Sequence, residues 1–343
     1  MAIESNVEGV WLAKQTAKGT PATAPTSNAN AKKLRKVGGG VNPTLDHGNE
    51  NYSDGNRFSD ASDFVTSIVG NGAPVAQMGP GDGAYLSYLM LGSESTAAAV
   101  AGVVAHTITP GPTSFWFTVW KRMGNSLIIR QKYTDCRMVS LRVEGSSANK
   151  VVKMTPTFFS LDAGEVFSTD PTCVVDTDQP FLYTEAEATF TIDTVVIRGH
   201  SSFAMVITDG LATWQGDSVY MHDVTTGQGA VTIEGITLLV DQAGLDQYNK
   251  IMYGTTSPTA GTKPQKTVYM GSYSFELKRG TVASANFRNF KVELAKVHWN
   301  PDLAIDGNPD GGATEISLGA EARKDPAQPF VKITANTVDI AYT

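Results

Sequence analysis

Apolar and polar side chains alternate along much of this chain. Tyr273, Phe275 and Leu277 alternate with Ser274, Glu276 and Lys278. Phe290, Val292 and Leu294 alternate with Lys291 and Glu293, and Val139, Leu141 and Val143 with Ser140, Arg142 and Glu144. A period of two sets one face on a core and the other toward water or a partner. Thr189–Ile192 and Val231–Glu234 continue the pattern. The runs are rich in Thr, Val, Ile, Phe and Tyr, which suit pleated, half-buried surfaces, and glycines punctuate them as hairpins and bulges require. The pattern predicts a mainly β protein. Three helices are predicted: Ala84–Leu91 stopped by Gly92, Leu245–Tyr253 stopped by Gly254, and Ser62–Val69 capped by Asp60 or Ser62 and stopped by Gly70.

Two of these helices open matching series. Leu89-Met90-Leu91-Gly92 has its counterpart in Ile251-Met252-Tyr253-Gly254. A Ser/Thr-rich loop follows each. Next comes an aromatic strand with a basic pair and a glycine, Phe115 to Lys121, Arg122 and Gly124 against Tyr273 to Lys278, Arg279 and Gly280. Arg137–Val143 then matches Arg288–Leu294, and each series closes with a strand, near Thr157–Leu161 and Thr314–Leu318. The offsets drift through 162, 157 and 151 residues as loops change length, while the order is kept. This reads as an internal duplication. The chain divides into a first unit at 1–165, a linker at 166–184 and a second unit at 185–343. Irregular stretches at Lys14–Asn30, Asp46–Phe58 and Asn300–Gly312 are long enough to be functional or to order against a partner.

Composition narrows the function. The 343 residues carry 27 basic and 34 acidic side chains, net −7, which argues against a nucleic-acid binder. A hydrophobic content of 41% fills a core and argues against disorder, and the length favours two globular units over one. Met1–Trp11 lacks the basic and apolar regions of a secretory signal. The longest apolar run, Ala97–Ala105, is half of a membrane span. Cys136 and Cys173 form no metal spacing and read as buried free thiols.

Catalytic and ligand motifs are weak. His47, His106, His200, His222 and His298 show no ligand spacing and read as surface or turn residues. No nucleophile elbow is present to anchor a Ser-His-Asp site. Asp302–Asp310 and Asn49–Asp54 offer oxygen ligands without the spacing of a calcium loop. Gly79–Gly83 precedes a helix but lacks the Lys-Ser/Thr end of a phosphate loop. No catalytic residue, cofactor or metal is therefore assigned, and an enzyme is not expected. The aromatic strand has Phe115, Phe117 and Val119 on one face and Trp116 and Trp120 on the other. Both faces are therefore apolar, as for a strand buried between a sheet and a helix of its own chain or, alternatively, for one whose second face is covered by another subunit.

Val10-Trp11-Leu12-Ala13-Lys14-Gln15-Thr16-Ala17-Lys18-Gly19-Thr20-Pro21 resembles the opening of major tail tube proteins of long, non-contractile-tailed bacteriophages. Ile233–Leu239 followed by Leu245–Gly254 is similar to their strand-then-helix unit, and Phe275–Leu277, Lys291–Glu293 and Glu315–Leu318 to their closing strands. The resemblance implies a β-sandwich or small barrel with a flanking short α-helix. Sheets join between subunits into a ring, and rings stack into a tube that conducts the genome into the host. Most relatives form hexamer rings of single domains; two tandem tube modules imply a trimer with pseudo-sixfold symmetry. The implied setting is a virion tail assembled in the host cytoplasm, with tape-measure, tail-tip and tail-terminator proteins as partners. Double-stranded DNA passes through without specific binding, past a lumen lined by acidic side chains, and nothing inserts into a membrane.

Contacts between subunits or rings are expected at Trp11, Asp46, Asn51, Tyr52, Arg57, Phe58, Trp116 and Trp120. Asp46–Phe58 is the stacking loop and Lys14–Asn30 its helper arm, so that removing Asn49–Gly55 leaves a folded protein that does not polymerise. The alternative is a surface- or carbohydrate-binding β-sandwich of a virion fibre or adhesin. A contractile tube of a secretion system is a near neighbour of the first reading, but its subunits are half this length.

Overall fold

The computed structural model describes residues 8–27, 30–52, 60–100, 102–125, 127–162, 164–215, 217–280, 287–299, 315–339 and 341–342. Strands account for most of them. The first half runs β1 (Glu8–Lys14), β2 (Ala31–Lys33), β3 (Lys36–Gly38), β4 (Val41–Tyr52), β5 (Asp60–Gly72), β6 (Val75–Gln77), α1 (Pro80–Leu91), β7 (Gly92–Thr96), β8 (Val104–Pro110), β9 (Phe117–Met123), β10 (Ile129–Ser146) and β11 (Lys153–Ser160). The second runs β12 (Ala188–Ile192), β13 (Val195–Ile197), β14 (His200–Thr208), β15 (Ala212–Trp214), β16 (Asp223–Thr225), β17 (Ala230–Leu239), α2 (Gln242–Tyr253), β18 (Met270–Arg279), β19 (Arg288–Trp299), β20 (Glu315–Ala322) and β21 (Lys332–Thr337). β15 and β16 form a separate ribbon; the other strands share one hydrogen-bonded network. The protein is mainly β, as the alternation predicts, and no helix among the described residues is long and apolar enough to cross a membrane.

Pairing follows one order in both halves. The series β1–β9–β10–β11–β5–β4 is antiparallel at every step. So is β12–β18–β19–β20–β17–β14. In each half the helix occupies the same place in the chain, before the strand that starts the central hairpin. The strand β10 is long because it serves two neighbours: Ile129–Cys136 pair with β9 and Ser140–Ser146 with β14. Irregular register at Tyr133/Cys136 and Met138/Ser140, and positive φ at Asp135 (52°), mark where it turns. Bulges of this kind let one strand pass between sheets.

One apolar cluster spans both halves. Phe203 of β14 packs on Phe275 of β18 with ring centroids 4.3 Å apart, and Phe190 of β12 lies 5.0 Å from Phe275. In the first half Phe117 of β9 meets Phe158 of β11 edge-on at 5.5 Å. Such contacts between aromatic rings add to the burial of their area.

Both predicted Gly-stopped helices are present. Gly92 and Gly254 take left-handed conformations, φ 84° and 75°, and close their helices by N–H bonds to the carbonyls of Tyr88 and Lys250. A Cβ at Gly92 would stand 2.0 Å from the Thr113 carbonyl oxygen. Gly92→Val is therefore expected to lose about 1–2 kcal/mol from backbone conformation alone, and more from the clash. Thermal unfolding would show a clearly lowered midpoint; an unchanged midpoint would contradict the helix stop.

The predicted helix at Ser62–Val69 is corrected: these residues lie in β5. Phe64, Val65, Ile68 and Val69 mimic a helical stripe, but β-branched Val65, Thr66, Ile68 and Val69 favour the strand, and pairing with β4 decides it. His106, expected at a surface or turn, is buried, with Nδ1 on Glu94 and Nε2 2.9 Å from Thr337 Oγ1. The segment at 166–184 is not a free tether. Phe181 is fully buried, and the Cys173 carbonyl accepts a bond from Trp11 Nε1 at 3.0 Å. Cys136 and Cys173 are free and buried, as expected.

Candidate assembly surfaces

Burial sorts the predicted contact residues. Trp11 and Trp120 are 4% and 1% exposed and pack with Ala13, Ala31 and Cys173. That placement corrects their assignment: β1 and β9 pair side by side with Trp11 opposite Trp120, and the 166–184 segment covers them, so neither reaches a neighbour. Both faces of the aromatic strand are thus covered from within. Trp116 is half-buried against Val69, Phe159, Leu161 and Val224, with the Arg137 guanidinium 4.7 Å from its ring. Asp46 is exposed on β4 and accepts a bond from Ser67 at 2.6 Å. Asn51 and Tyr52 lie on the distal part of β4, opposite Ala61 and Asp60. Arg57 and Phe58, and the Asn300–Gly312 stretch, lie outside the described residues.

Asp46–Tyr52, read from sequence as loop, is instead the arm of a long hairpin with β5. Val41, Val69 and Gly70 at its base are buried, while Thr44–His47 and Phe64 are exposed. Leu45 and Phe64, each 48% exposed, are large apolar residues with no cover. The Lys14–Asn30 arm docks on its own chain: Gly19 N–H donates to Asp135 at 2.8 Å, Lys18 pairs with Asp223 at 2.8 Å, and Ala22 N–H donates to Thr118 Oγ1 at 3.0 Å.

The edges of the repeated strand order differ. At the end of the second series, β14 pairs on its outer side with Ser140–Ser146 of β10, joining the two halves. At the end of the first series, β4 has no partner on that side among the described residues. The helices differ in the same sense. Every residue of α1 is buried, under a sheet in which β21 of the second half pairs with β8 of the first. By contrast, α2 buries only Gly244, Gln247 and Ile251, leaving Tyr248, Met252 and Tyr253 partly open. One junction between halves is made within the chain by β10 and β14; the strand equivalent to β14, β4, is open on that side among the described residues. Sequence spacing could not reveal this, because an edge is a property of pairing.

Through the β10–β14 junction one sheet runs β4–β5–β11–β10–β14–β17–β20 across both halves. Its inner face carries Leu141, Val143, Met205, Ile233 and Leu318 in the core. The other face carries Arg142, Glu144, Lys153, Glu234, Glu315 and Glu321 among Ser, Thr and Gly. Arg142 pairs with both Glu144, at 2.9 Å, and Glu234. Of these six charged groups four are carboxylates and two are cations.

A cleft of about 830 Å³ lies between Pro110–Ser114, the end of β14 with the start of β17, and Glu321–Val331. Asp209 in it accepts a bond from Ser114, and burial raises its carboxyl above the usual range. No histidine or cysteine lines it. No protein-family model matches this chain, and no curated protein matches its sequence.

Proposed function

We propose that this chain is the subunit of a homopolymeric tube of the non-contractile phage tail type, built from two tandem copies of one module. The carrying observation is the unequal use of equivalent elements. β14 and α1 are fully covered within the chain, whereas β4 is open on its outer side among the described residues and α2 is only partly covered. A free, flat strand edge is a liability unless something pairs with it. A second copy, presenting the same chemistry that β10 presents to β14, would pair with β4. Repeating that head-to-tail junction closes a ring. Two modules per chain make three chains a pseudo-sixfold ring; six chains are the alternative.

In such a ring the sheet running through both halves lines the channel with its polar face. Carboxylate excess there repels phosphates, so DNA slides past without binding. The distal β4–β5 hairpin, too long for the body that anchors it, contacts the next ring. The tube would stand in a virion tail, bounded by tip, terminator and tape-measure proteins.

Negative-stain microscopy of the purified protein over hours tests the reading. Hollow filaments with a regular axial repeat are expected. Discrete monomers or trimers at all times would contradict it and favour a surface-binding module of a fibre.

A further inference from the structure

A group of buried ionisable side chains at the N-terminal end of α1 has no part in the proposed assembly. Lys32 on β2 is 1% exposed. Its Nζ lies 2.7 Å from both carboxylate oxygens of Asp339, which follows β21 near the other end of the chain. Tyr342 O–H donates to Asp339 Oδ2 at 2.9 Å. A second carboxylate, Asp176, places Oδ2 3.9 Å from the same Nζ. That oxygen is buried and has no hydrogen-bond partner among the described residues.

The surroundings fix this convergence. Asp176 Oδ1 accepts the Asp178 N–H at 3.0 Å, and the Arg35 guanidinium donates to the carbonyls of Asp176 and Asp178. Gly81 supplies the space: a Cβ there would lie 2.4 Å from Asp176 Oδ2, 2.5 Å from Asp339 Oδ2 and 3.0 Å from Lys32 Nζ. Buried Tyr85 and Tyr342 pack against each other with ring centroids 5.2 Å apart. An amine, a carboxyl and an unpartnered second carboxylate thus meet where water is excluded.

We propose that Lys32 and Asp339 condense into an intramolecular isopeptide bond, with Asp176 carrying the proton. The ammonium of Lys32 gives a proton to Asp176 Oδ2. The freed amine lone pair then attacks Asp339 Cγ, forming the C–N bond. Asp176 returns its proton to one carboxyl oxygen, which also takes the second amine proton. The C–O bond breaks, and water leaves with its electron pair. An ammonium and a carboxylate become one amide and one water, with no change of oxidation state and no co-reactant. Fixed proximity replaces the entropy of an encounter, and a positioned carboxylate supplies acid and base. Condensation also removes a buried ion pair whose desolvation is costly. The product ties the N-terminal strand region to the C-terminal one.

Intact-mass spectrometry of the folded wild type tests this. The expected mass is one water below the sequence value, allowing for removal of the initiator Met. A tryptic digest should contain a branched peptide joining the Lys32 and Asp339 segments. Lys32→Arg should restore the full mass, and Asp176→Asn should fold and keep it. A folded wild type at full mass with no branched peptide means a plain ion pair and overturns the proposal, whatever the variants do. A water deficit that persists in Lys32→Arg would equally overturn it, and one that persists in Asp176→Asn would overturn the role of Asp176.

Discussion

Replacing Gly48–Phe64 by Asn-Gly is expected to leave a folded protein that makes no tubes. His47 and Val65 are directly opposite in the β4–β5 register, so a two-residue turn closes the shortened hairpin without changing its pairing. Val41, Val69 and Gly70, which anchor the hairpin, stay in place, and the described side chains near the cut, His47 and Phe64, are exposed. Circular dichroism and the thermal midpoint should be close to wild type. Under the microscope, single rings or trimers should replace filaments at concentrations where wild type polymerises fully. The proximal edge of β4, assigned to ring closure, survives in this variant, so rings without stacks separate the two contacts. Normal filaments would remove the hairpin from the inter-ring role.

Asp82→Asn should stabilise the protein above neutral pH. Asp82 sits in the first turn of α1, 2% exposed, and neither carboxyl oxygen has a hydrogen-bond partner among the described residues. Burial pushes its carboxyl up to about 7. The folded state thus holds a proton that the unfolded chain releases near pH 4. Stability from this group is full below the unfolded pKa and is lost as pH rises toward 7. With about 1.4 kcal/mol per pKa unit, the loss is about 4 kcal/mol at most. The amide is neutral at every pH and avoids that loss. Thermal unfolding of both proteins between pH 4 and 9 should give curves that meet at low pH and diverge above pH 7, with the variant higher. A wild type as stable at pH 8 as at pH 5, once other titrations are matched by the variant, would contradict the buried neutral carboxyl.

Local chemistry was legible in the sequence where one signal dominated. Gly92 and Gly254 ended helices because only glycine sits easily in the left-handed region. The alternation at Tyr273–Lys278 and Phe290–Leu294 located β18 and β19, with the even-spaced apolar residues inside. Two signals competed at Ser62–Val69, where helical spacing and β-branching disagreed and pairing with the preceding strand, β4, decided. Trp11 and Trp120 misled for another reason. Large aromatics on both faces of a strand can be covered from within or by a partner, and only the path of the 166–184 segment showed which. The open edge of β4 and the Lys32–Asp339 pair, 307 residues apart, had no local signature at all.

Helical reconstruction of tubes by electron cryomicroscopy tests the central claim most directly. Three chains per ring are predicted, showing six similar lobes around a hollow channel, with strand pairing across each chain boundary on the outer edge of β4. Filaments that leave this edge in solvent, or a solid rod without a channel, would contradict the account.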